Sequence, residues 1–265
     1  MKQIGTMDII FDEYKDGIYY FDLIVEVAGV TRHTKLPRYH AMVGWVEVFG
    51  LPPQHEWVIL EDVVPFSKEA SLIVDGHTYT ETFAYTSNKE DKTHTIVTER
   101  SDATSHEKLI WVESYKGAPQ VIQHTMTFEH GAGTYTCNAE KSLVTKAQLT
   151  DEALDFVTKT FSEHGQTEHV WKKSFSAQGV LPEIYYGLFP AIEGIDLSNI
   201  QGSVVEVGYM AGERGTDGVH GDWYKRFQLG DQVLYIVEEG YTSQIIETDN
   251  GPKNIKSTYH KKLYR

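Results

Sequence analysis

The stretch His169-Val170-Trp171-Lys172-Lys173-Ser174-Phe175-Ser176-Ala177-Gln178-Gly179-Val180-Leu181-Pro182-Glu183-Ile184-Tyr185-Tyr186-Gly187-Leu188-Phe189-Pro190 sets how the rest of the chain is read. It reads as two strands joined at Gln178-Gly179. The first carries Trp171 and Phe175, and the second is a dense aromatic run stopped by Pro190. Aromatic and β-branched residues bounded by Gly and Pro favour strand over helix. Gly187 inside the run marks a bend or a close approach to the backbone.

The same period-two pattern recurs on both sides. Tyr19, Phe21, Leu23, Val25 and Val27 share one face of a strand, with Asp22 and Glu26 on the other. Asp75-Gly76 supplies the positive φ angles of a tight hairpin. After it, His77, Tyr79, Phe83 and Tyr85 alternate with a row of threonines. Further strands are expected at Met42–Phe49, Trp57–Val64, His94–Arg100, Leu109–Tyr115, Gln120–Phe128, Thr134–Asn138, Ser203–Met210 and Ile255–Leu263. Hairpin turns are expected at Gly230-Asp231 and Asn250-Gly251. Thr31 to His40 reads as a basic, proline-containing loop.

One helix is expected over 150–164. Thr150 is its N-cap, and Asp151 and Glu152 sit in the first turn where the dipole favours them. Leu154, Val157 and Phe161 form its apolar stripe, and Gly165 stops it. About thirteen turn-separated strands with one helix imply an all-β fold, a two-sheet antiparallel sandwich of jelly-roll type. The chain forms a single domain over 1–265, or two β domains, 1–148 and 166–265, joined by the helix. Strand patterns alone do not separate sandwich from barrel.

With 265 residues and a net charge of −14, the chain can bury a full core and repels phosphate backbones and anionic bilayers, so neither nucleic acid nor membrane is an expected partner. The single cysteine, Cys137, excludes an internal disulfide and cysteine-rich zinc sites, and reads as a buried thiol. No Walker loop, dinucleotide fingerprint, Gly-x-Ser-x-Gly elbow or His-Glu-x-x-His helix occurs, and the 12 histidines are scattered. No cofactor or metal is expected. The N-terminus has no signal-like apolar run, so synthesis in the cytosol is expected.

Trp171 to Ser176, Gly179-Val180 and Ile184-Tyr185-Tyr186-Gly187-Leu188-Phe189-Pro190 resemble the concanavalin-like jelly-roll domains of phage and prophage tail proteins. Those domains carry a Trp-containing strand, a Gly turn and a Tyr-rich strand ending before Pro. The resemblance covers about a tenth of the chain. It implies a glycan-facing concave sheet, sometimes with lyase or hydrolase activity, and a place on a virion. No catalytic residue carries over.

The expected function is therefore glycan recognition. Aromatic faces stack on sugars, and Asp, His and Arg bind hydroxyls. The binding residues expected are Tyr185, Tyr186, His220, Trp223, Tyr224 and Arg226, with Tyr39, His40 and Trp45 beside them. A lyase or hydrolase of the same fold is the alternative. His124, set among Met126 and Phe128 on one strand face, is its candidate acid or base. A structural assembly protein, with oligomerisation through exposed aromatics, and a small-ligand-binding barrel are the further readings.

Overall fold

The computed structural model describes residues 1–39, 65–88, 90–115, 121–131, 133–164, 169–180, 196, 198–208 and 224–265. Fourteen strands run through them. The first five are β1 (Gln3–Lys15), β2 (Ile18–Val27), β3 (Val30–Arg38), β4 (Phe66–Val74) and β5 (His77–Asn88). Then come β6 (Thr93–Ser101), β7 (His106–Tyr115), β8 (Val121–His130), β9 (Gly133–Leu143) and β10 (His169–Gly179). The last four are β11 (Asn199–Gly208), β12 (Tyr224–Leu229), β13 (Gln232–Thr248) and β14 (Gly251–Tyr264).

Each strand pairs antiparallel with its neighbours in sequence, and β14 pairs with β1, so one sheet closes into a barrel. The closing ladder runs from Gln3↔Tyr264 to Ile10↔Thr258. Reciprocal backbone bonds of 2.8 Å between Lys2 and Arg265 extend it. This overturns the two-sheet sandwich and jelly-roll expectation. A jelly roll needs strands that cross between two sheets, whereas here strand order equals chain order. Alternation assigns each side chain to a face but is silent on whether a sheet closes.

The expected basic loop at Thr31–His40 is also corrected, because residues 30–38 form β3. Thr34 and Leu36 point inward, while Arg32 and Lys35 pair with Asp75 and Asp12. Among the described residues β3 meets β4 at Thr34↔Val74 and Lys35↔Ile73, and Pro37 falls beyond those pairs, where a missing N–H costs the β3–β4 ladder nothing. The tight turns expected at Asp75-Gly76, Gly230 and Gly251 are present, each glycine with positive φ. The strands expected at Met42–Phe49 and Trp57–Val64, and the aromatic run 181–190, lie outside the described residues.

The helix α1 (Asp151–His164) follows Thr150, whose Oγ1 accepts from the Ala153 N–H at 3.4 Å. Its buried face centres on Ala153, Val157 and Thr160, one step round from the stripe expected. That face packs on Val170, Val205, Val207 and Tyr224, the outward side of β10, β11 and β12. The helix therefore lies against the outside of the barrel, and β9 pairs directly with β10 across the insertion that contains it.

Inside, one apolar cluster draws on nearly every strand. Trp111, Phe128, Tyr135, Met126, Leu72 and Phe227 are among its fully buried members. Gly202 belongs to it by omission. A Cβ there would lie 2.7 Å from the Phe175 ring and 2.2 Å from the Gln228 carbonyl oxygen, so the ring packs straight onto the backbone.

Candidate functional site

Four charged side chains occupy inward positions that the alternation reserves for apolar residues. On β9, Lys141 continues the row Tyr135, Cys137, Ala139. On β10, Lys173 lies between Trp171 and Phe175; on β11, Glu206 follows Val204; on β12, Lys225 precedes Phe227 and Leu229. The register brings the four together. Lys173 is directly opposite Lys141, Trp171 is opposite Glu206, and Glu206 is opposite Lys225. Facing side chains in antiparallel pairs have Cβ atoms about 5 Å apart.

Lys141 Nζ donates to Glu206 Oε2 at 2.8 Å and lies 5.3 Å from the centre of the Trp171 ring. Burial alone would raise the Glu206 carboxyl. Lys141, Lys225 and Lys173 outweigh that effect and hold it down at about 2, so it is a carboxylate at every ordinary pH. Lys141, Lys225 and Trp171 keep 6–7% exposure, while Glu206 and Lys173 are 1% exposed. The first three form the outer layer of the cluster and the last two its floor.

All four residues belong to the same end of the barrel. Glu206 is two residues from the end of β11, Lys225 is the second residue of β12, and Lys141 is two residues from the end of β9. The Glu113–His124 pair lies at that end too, one strand beyond β9. His124 Nε2 is 3.5 Å from Glu113 Oε1, and the His124 ring meets Trp111 edge-on at 4.6 Å. Burial and the Glu113 charge together raise the nearby Tyr85 hydroxyl above its ordinary value.

A second buried ion pair sits on β5 and β6. The Arg100 Nε donates to Glu81 Oε2, and the Tyr39 hydroxyl donates to Glu81 Oε1. Burial, and then the Glu81 carboxylate, keep that hydroxyl far above the usual tyrosine range, so it serves only as a donor. The Tyr39 ring stacks on Phe83 at 4.4 Å.

Of the residues expected to bind, Tyr185, Tyr186, His220, Trp223, His40 and Trp45 lie outside the described residues. The other three do not form a sugar-facing surface. Tyr224 is buried under α1, and Arg226, 4% exposed at its side chain, donates to Glu152 Oε2 at 2.7 Å on the same outer face. Tyr39 is committed to Glu81. The candidate acid or base, His124, is buried with its Nε2 3.5 Å from Glu113 Oε1. The lysine cluster was missed, although its signal is in the sequence: each charge falls on its strand's apolar parity. Among the described residues, no group of three or more His, Cys, Asp or Glu is placed to hold a metal ion.

The fold and its lining define a class, an up-and-down β-barrel with a charged site built into one end of its interior. Comparison with protein-family models, with curated proteins and with solved structures finds no match to this chain.

Proposed function

We propose that this chain is a small-ligand-binding β-barrel that takes an organic anion at the Lys141, Lys173 and Lys225 cluster. One observation carries the reading: three buried lysines, Lys141, Lys173 and Lys225, all act on the buried Glu206 carboxylate. Burying charge is costly, and buried cations gathered around one group at an end of a barrel mark a candidate site for an anion. A carboxylate, sulfonate or phosphate group suits that setting. Trp171 and the apolar interior beyond it suit a ligand with an apolar body.

The rest of the barrel agrees with a ligand carrier. Outward positions are polar over long stretches, including Thr78, Thr80, Thr82 and Thr86 on β5 and Lys172, Ser174 and Ser176 on β10. Barrels that span bilayers carry the reverse pattern, with an apolar band outside. No described helix is long and apolar enough to cross a membrane.

The test is titration with anilinonaphthalene sulfonate, an anion with an aromatic body, followed by fluorescence. Saturable binding at one site is expected, weakening as salt rises. The Lys141→Met, Lys225→Met double variant should lose about tenfold or more in affinity, a change of 1.4 kcal/mol. A variant still folded that binds as tightly as the parent would overturn the assignment.

A further inference from the structure

The outer surface of the barrel has two unlike halves. Outward positions on β1, β2, β3 and β14 carry Asp8, Asp22, Glu26, Lys35, His260 and Lys262, with ion pairs such as His260 to Asp8 and Lys35 to Asp12. Outward positions on β5 to β9 differ. One row crosses those five strands as Ala84, Val97, Ile110, Thr127 and Thr136, each directly opposite the next in the ladder. The adjacent row is Thr86, Thr95, Val112, Thr125 and Asn138, and Ser176 carries it onto β10. A third row, Asn88, Thr93, Ser114 and Gln123, ends at Glu140. On the other flank charge returns with Glu99, Lys108 and Glu129. The face is open to solvent: Thr86, Thr125 and Asn138 are exposed, and α1 packs further round, on Val170, Val205, Val207 and Tyr224.

In a chain with a net charge of −14, three adjacent rows without one ionisable side chain call for a cause. A surface that meets only solvent ordinarily mixes in about one charged residue in every three or four. Val97 faces Ile110 across the ladder, and Val112 is next on the same side of β7, which makes an apolar centre. Threonines surround it, and ionised groups lie beyond them. Protein–protein contacts have that layout, with charge depleted at the core and polar groups at the rim. Val, Ile and Thr are stiff at χ1, so covering them costs less rotamer freedom than covering Lys or Glu.

We propose that a second copy of this chain docks on this face, sheet against sheet about a two-fold axis. The proposal is independent of the anion-binding reading. Charge selects the occupant. Two copies, each at −14, repel wherever acidic surfaces meet, and this face lets them approach without bringing like charges together. The extent agrees. Three rows across five strands, with their charged border as the rim, supply the roughly 20 residues and about 800 Å² that a standard interface takes from each partner. Sheets stacked face to face lie about 10 Å apart with side chains interdigitated, and short β-branched residues fill that gap. A two-fold contact uses one patch twice, so a charge introduced by substitution enters it twice.

The test is sedimentation equilibrium of the intact protein. A dimer mass of 2 × 30.1 kDa is expected at micromolar concentration. Rising salt should tighten the dimer, because it screens the acidic remainder of the surface, whereas salt weakens the anion site. Thr86→Glu combined with Thr125→Glu, both at exposed positions, is expected to weaken the dimer by about tenfold or more through like charges brought face to face. Thermal unfolding and sulfonate titration of that variant should match the parent's. Lys253→Glu changes the net charge by the same amount on the other half of the barrel and should leave the dimer intact. A parent that stays at 30.1 kDa at its highest soluble concentration in high salt would overturn the proposal. So would a dimer that survives the paired Thr→Glu changes, which places the contact elsewhere, or one that Lys253→Glu weakens equally, which makes net charge the cause. Sulfonate titration reads the interior separately, so either proposal can fail alone.

Discussion

Replacing Glu206 by Gln removes a buried carboxylate on which three lysines act while keeping the shape of the side chain. The Glu206 carboxyl is held at about 2 against an ordinary value of 4.5. The difference, 4.5 − 2, is about 2.5, and at 1.36 kcal/mol for each unit it corresponds to about 3 kcal/mol of stability. Removing one partner of a buried ion pair costs a similar amount, about 3–5 kcal/mol, because the other charge is left uncompensated. Glu206→Gln is therefore expected to unfold in urea with about 3 kcal/mol less stability than the parent at pH 7.

The pH dependence sharpens the test. The folded value is depressed, so the stabilisation is complete above about pH 4.5 and is lost as pH falls toward 2. The parent and Glu206→Gln should thus differ fully at pH 7 and converge between pH 4.5 and 2. Other carboxylates titrate in both proteins and cancel in the comparison. A double-mutant cycle with Lys141→Met isolates the 2.8 Å bond, with a coupling of about 0.5–3 kcal/mol expected. A Gln variant as stable as the parent at pH 7, or a gap that stays constant on acidification, would refute the reasoning.

Two further predictions concern the interior around this cluster. Burial pushes the Cys137 thiol up to about 12 despite the opposing pull of Lys173, so the folded protein should resist thiol reagents at pH 8 and react fully once denatured; rapid labelling of the native state would contradict this. Gly202→Ala should cost about 1–3 kcal/mol in urea unfolding, since its Cβ would meet the Gln228 carbonyl oxygen at 2.2 Å, whereas Gly131→Ala, with open space around it, should be neutral; equal effects at the two sites would show that the Phe175 ring does not rest on Gly202.

The strands and the helix were legible in the sequence because their signals are local. Phe21, Leu23 and Val25 alternate with Asp22, Ile24 and Glu26 along ten residues, and one buried face is the only way to satisfy that pattern. Thr150 with Asp151 and Glu152 marks the start of α1 within a single turn. Closure was not legible, because it rests on β1 meeting β14 across the whole length of the chain. Nothing near Met7 or Tyr259 signals that pairing. The basic run Thr31–Arg38 misled for a related reason. Lys35 pairs with Asp12 on β1 and Arg32 with Asp75 in the β4–β5 turn, and only the ordered sheet, in which β2 separates β3 from β1 and β4 follows β3, brings those acids near.

The site divides in the same way. That Lys141, Lys173, Glu206 and Lys225 occupy inward parity is readable strand by strand, by asking which charges interrupt an apolar row. That they meet is not readable, because Lys141 and Glu206 are 65 residues apart and their contact depends on β10 lying between β9 and β11. Aromatic density drew attention to Tyr224 and Arg226 instead, yet those two face outward under α1, one residue out of phase with Lys225 and Phe227. A one-residue step reverses the face of a strand position. In this chain that step separates a surface that a helix already covers from the interior where Lys225 approaches Glu206.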